Sequence, residues 1–95
     1  MIVMLDDIGK AFYTRLKKES DSLLKTRNEI KYKRKLVLSL SEAWLEAESL
    51  ELDEEADRMY NQKHQAELEL QDLERAERET LERIKFYVNS KARSA

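Results

Sequence analysis

A single histidine, a single tryptophan and one short basic run are the residues of this 95-residue chain that invite a chemical reading; it has no cysteine. His64 would need companions to hold a metal, and no second His or Cys exists. The residue one helical turn on is Leu68, and Glu67 is the kind of neighbour any acidic helix supplies. As a general base His64 has no orienting partner marked by spacing, and no Ser/His/Asp arrangement stands out. Gly9 is the only glycine, so no glycine-rich loop exists to cradle a phosphate. These residues predict no catalytic site, no cofactor, no metal and no small-molecule substrate: a protein that is not an enzyme.

The basic run is Lys31-Tyr32-Lys33-Arg34-Lys35, with Lys25 and Arg27 just before it. Basic residues around an aromatic suit a nucleic-acid patch or a targeting signal. On a helix, however, five consecutive residues spread around about 1.4 turns and make no flat phosphate-tracking face. The favoured reading of Lys25, Arg27, Lys31, Lys33, Arg34 and Lys35 is a solvated helix face matched to acids elsewhere in the chain.

Which elements would position such residues follows from composition. Charged residues make up 40% of the chain, proline is absent, and Gly9 stands alone, so the turns of a β-sandwich or barrel have nothing to be built from. No apolar run approaches the ~20 residues that span a bilayer. The start, Met1 to Leu5 followed by Asp6 and Asp7, is not a standard secretory signal. Cytoplasm is the default location, with export by a non-classical route left open.

Two heptad patterns remain. Leu16, Leu23, Ile30, Val37 and Trp44 recur every seven residues, with Phe12 and Leu40 on the same stripe and Glu19, Thr26 and Lys33 interrupting it. Leu52, Ala56, Met59, Lys63, Ala66, Leu70, Leu73, Glu77, Thr80, Ile84 and Tyr87 alternate by four and three. The registers do not join, because sevens from Trp44 lead to Glu51 and not to Leu52. Asp53, followed by Glu54 and Glu55, reads as a helix start with Asp53 as its cap, and Ser49 is the alternative cap. The apolar-free stretch 17–22 is the place where the first helix would break if it did. The reading is a single all-α helical-hairpin domain over 1–95: helix 3–48, turn 48–52, antiparallel helix 53–90, frayed tail 91–95.

Folding the chain about Leu50 sets opposite each other residues whose numbers total about 101. Ile2, Val3, Leu5, Ile8, Phe12 and Leu16 then face Leu81, Ile84, Phe86, Tyr87 and Val88, and Leu36, Val37, Leu40, Trp44 and Leu45 face Leu52, Met59 and Tyr60. Charges match in the same frame. Residues 1–41 carry ten basic and five acidic residues, +5, whereas 42–95 carry eight and fifteen, −7. Lys31 to Lys35 fall opposite Glu67, Glu69 and Asp72, Lys25 and Arg27 opposite Glu74 and Glu77, Glu19 and Asp21 opposite Arg78 and Arg83.

Two long helices side by side bury only one stripe each, which is a thin core. Leu24, Leu38, Leu68, Leu81 and Phe86 lie off or beside the seams and predict a second apolar strip, completed as a four-helix bundle by a second copy or by a partner protein. Phe12, Trp44 and Tyr87 join them as interface candidates, since aromatic residues are enriched at binding hot spots.

With Trp44 near its middle, a helical hairpin of this length resembles the Trp-x-Gly small secreted proteins of type VII secretion and their helical-hairpin relatives. That resemblance implies dimeric four-helix bundles, some acting as targeting partners of larger substrates. Trp44-Leu45-Glu46 lacks the glycine, and Tyr87 is followed four residues on by Lys91 where the family has an acid. The likeness is one of architecture, and no site residue is carried over from it. The expected function is a non-enzymatic protein-interaction module, an adaptor or a secretion-targeting chaperone, binding another protein or itself. The alternatives are a nucleic-acid-binding helix using 25–35 and a small viral or phage inhibitor of a host protein.

Overall fold

Nothing in residues 2–49 stops a helix, and nothing does: in a computed structural model, α1 runs unbroken from Ile2 to Ser49. The structure describes the backbone of residues 2–94 and the side chains of residues 9–90. α2 spans Asp53–Ser94 and returns antiparallel, so the molecule is a two-helix hairpin 74 Å long and 18 by 13 Å across. The polar stretch 17–22 stays helical. Leu16 and Leu23 are both half-buried on the seam and hold the register across it, while Ser20, Asp21 and Ser22 face solvent.

Both heptads lie where the helices meet. From Phe12 to Ala47 every seam position of α1 is buried or half-buried, and the same holds in α2 from Ala56 to Tyr87. Among the described residues Ile30, Ala47, Ala56 and Ala66 are the buried apolar ones, and no large side chain is fully enclosed. The alanines let the helices approach near the tip, since interaxial distance follows side-chain size. Polar seam residues are satisfied. Thr80, 3% exposed, donates its hydroxyl hydrogen to the Ala76 carbonyl and accepts a hydrogen bond from Arg83. Glu19 receives Arg83, Glu77 receives Arg27, and Lys33 reaches Glu69. Among the described residues no buried side-chain nitrogen or oxygen lacks a partner.

The turn is made without glycine or proline. The Glu51 N–H donates to the Glu48 carbonyl at 3.1 Å and the Leu52 N–H to the Ala47 carbonyl at 2.9 Å. These are the two bonds of a Schellman stop, and Glu51, at φ 58°, fills the left-handed position that glycine favours. The Ser49 hydroxyl donates to the Glu46 carbonyl as well. Leu52 then takes on a second role, because its carbonyl accepts the first hydrogen bond of α2, from Ala56 at 2.8 Å. The cap position of α2 is therefore Leu52, which corrects the expectation for Asp53. Asp53, Glu54 and Glu55 instead occupy the first turn, where negative charge suits the helix dipole.

Other expectations shift in position. α2 continues to Ser94, four residues past the predicted end at 90, because Lys91, Ala92 and Arg93 are good helix formers with no breaker among them. Leu45, expected inside the tip cluster, is 58% exposed: it follows the seam residue Trp44 and so points about 100° away. Val88 and Leu52 are likewise exposed. The side chains of Ile2, Val3, Leu5 and Ile8, expected to face the end of α2, lie outside the described residues.

Candidate interaction surface

Two aromatic clusters lie along the rod, one at the tip and one toward the opposite end. At the tip, Trp44 of α1 meets Tyr60 of α2, ring centroids 6.0 Å apart and tilted by 56°. Tyr60 in turn lies parallel to His64, at 6.4 Å, one turn along α2. Lys63 sits over the Trp44 ring at 5.4 Å and also meets Glu67 at 3.3 Å. A cation on the indole face gains from the ring quadrupole, which explains how a lysine is tolerated on the seam. At the far end Arg15 covers the Tyr87 ring at 4.6 Å, and Phe86 meets Tyr87 edge-on at 6.0 Å. Phe12 is half-buried on the seam of the same end.

His64 is exposed, and its ring contact is with Tyr60. Among the described residues no group of three or more His, Asp or Glu side chains is disposed to hold a metal, and no helix is long and apolar enough to cross a membrane.

The basic candidates divide into two sets. Arg27 meets Glu77 at 3.2 Å and Lys33 meets Glu69, both across the hairpin. With Arg83 and Glu19 at 3.2 Å, these give facing totals of 104, 102 and 102, close to the register read from the sequence. Hydrogen bonds from Lys33 and then from Gln65, and next the Lys33 charge, hold the Glu69 carboxyl below its ordinary value of 4.5. Lys25, Lys31, Arg34 and Lys35 are exposed and make none of the described ion pairs.

The apolar candidates also divide. Leu24 and Leu38 are each 61% exposed and, fourteen residues apart, share one side of α1. Phe86 is 67% exposed and Leu68 is exposed on α2. Leu81 is half-buried and turned about 140° from both. The five therefore do not form one strip; the helical repeat scatters them. Trp44 and Tyr87 are half-buried and held by the contacts above. Tyr13, Tyr32 and Leu45, outside the interface candidates named above, are exposed as well. Their signal was available, since each stands one or two residues off a seam position. An open hollow is lined by Leu24, Lys25, Asn28 and Tyr32 of α1 with the acids Asp21 and Glu29 beside them, and by Leu73 of α2.

No protein-family model matches this chain, and no curated protein or solved structure is significantly similar to it.

Proposed function

We propose that this hairpin is a non-enzymatic protein-interaction module, working as an adaptor or a targeting partner. One observation carries the reading: among the described residues no large side chain is fully enclosed, while Leu24, Leu38, Tyr32 and Phe86 stand more than 60% exposed. Leu24 and Tyr32 line the same open hollow on α1, and exposed apolar side chains grouped in this way mark a place where another surface docks. A secretion-targeting role is one form of this module. The nucleic-acid reading is weaker, because Arg27 and Lys33 are already engaged by Glu77 and Glu69 and the chain as a whole carries −2.

The test is in-cell photo-crosslinking from a probe placed at Tyr32 or Phe86, followed by mass spectrometry. A defined protein adduct, reduced by Leu24→Ser/Leu38→Ser at the Tyr32 probe, is the expected result. Recovery of nucleic acid alone, released by nuclease, would overturn the reading.

A further inference from the structure

α1 carries a second heptad beside its seam. Lys17, Leu24, Lys31, Leu38 and Leu45 recur every seven residues, each one place after a seam residue and so about 100° around the helix from it. All five are exposed, and the leucines are 58–61% so. The open hollow at Leu24, Lys25 and Asn28 lies along the same part of α1.

The charges of the two helices are managed differently. In α2 the cations Arg58, Lys63, Arg75 and Lys85 each meet an acid one turn away, at Glu55, Glu67, Asp72 and Glu82. In α1 no described ion pair is internal: Glu19, Arg27 and Lys33 all reach across to α2. Lys17 and Lys31, with Arg34 and Lys35 nearby, make none of the described ion pairs. The stripe thus sets lysines that make none of the described ion pairs among exposed leucines.

We propose that this stripe docks an acidic amphipathic helix of another protein, one with apolar residues at heptad spacing and Asp or Glu between them. The inference rests on the interaction-module reading and names the chemistry of the partner. Leucines two heptads and then one heptad apart, at Leu24, Leu38 and Leu45, match the knobs of a facing helix, and flanking charges set partner choice. A nucleic-acid backbone would use the lysines and leave the leucines in water.

The experiment uses the full chain and fluorescence anisotropy with a labelled synthetic helix of about four heptads, carrying Leu at one heptad position and Glu beside it. Two control peptides replace Glu by Lys or Leu by Ser. Binding of the Glu/Leu peptide is expected, weakened roughly tenfold or more by Leu24→Ser/Leu38→Ser. Lys17→Glu/Lys31→Glu is expected to reverse the preference toward the Lys peptide. Circular dichroism confirms that these exposed substitutions keep the helix. No binding, equal binding by all variants, tighter binding of a DNA duplex than of the peptide, or a sedimentation dimer lost with the same leucines would each overturn the proposal. Because the crosslinking probe at Phe86 lies on α2, it tests the interaction-module reading independently of this stripe.

Discussion

Glu51 is the residue at which the backbone pays for the shape. A non-glycine side chain in the left-handed region costs about 1–2 kcal/mol, and the two Schellman bonds hold it there. Glu51→Gly keeps both bonds and removes the strain, so it is expected to raise unfolding free energy by about 1 kcal/mol in urea titration; a loss of stability would show that the turn depends on the Glu51 side chain. Glu69 sets a pH dependence. Its carboxyl is held below the ordinary value by Lys33 and Gln65, so its contribution is complete above pH 4.5 and fades as pH falls through the lowered folded value. Glu69→Gln is expected to flatten that part of the acid limb in urea melts repeated between neutral and acid pH. An unchanged limb would assign the acid sensitivity to other carboxylates.

At the scale of the helix, Gly9 is the one residue of α1 whose backbone freedom works against it. A Cβ added there meets nothing within 4 Å, so Gly9→Ala is expected to stabilise by up to about 1 kcal/mol, measured as a shift in the urea midpoint at unchanged slope. The elements themselves were legible because periodicity is a direct image of burial. The stripe Leu16, Leu23, Ile30, Val37, Trp44 and its α2 counterpart are where the structure buries side chains. Even Lys33, Glu77 and Thr80 keep their seam places, because each finds a polar partner there. The turn was legible as a slip of register between Trp44 and Leu52 but not as a mechanism. A Schellman stop is recognised in sequence by its glycine, and here a glutamate stands in for it. The candidate surface was legible in part. Leu24 and Leu38 emerge from their off-seam numbering, whereas the exposure of Leu45 depends on which neighbour, Trp44 or Leu45, takes the interior.

For the whole molecule, stability and docking separate onto different leucine-like side chains. Ile30 is 3% exposed, and Ile30→Ala is expected to cost about 2–4 kcal/mol. Leu38→Ala, at 61% exposure, is expected to change stability by about 0.5 kcal/mol or less while weakening partner binding. Paired urea titrations and crosslinking yields check the separation, and comparable destabilisation by the two substitutions would refute it. The ion pairs within α2 also bear on how the chain reaches this shape. Each one-turn pair adds roughly 0.2–0.5 kcal/mol to an isolated helix, without any tertiary contact. The unfolded ensemble is therefore expected to visit helix more often in residues 53–94 than in 2–49, with α1 pairing onto α2 from the tip, where the turn already holds the two segments together. A peptide of residues 53–94 is expected to show more far-ultraviolet helical signal than one of residues 2–49, with the gap narrowing in molar salt. The hairpin would then owe its speed of assembly to the helix that keeps its charges to itself, and its choice of company to the helix that does not.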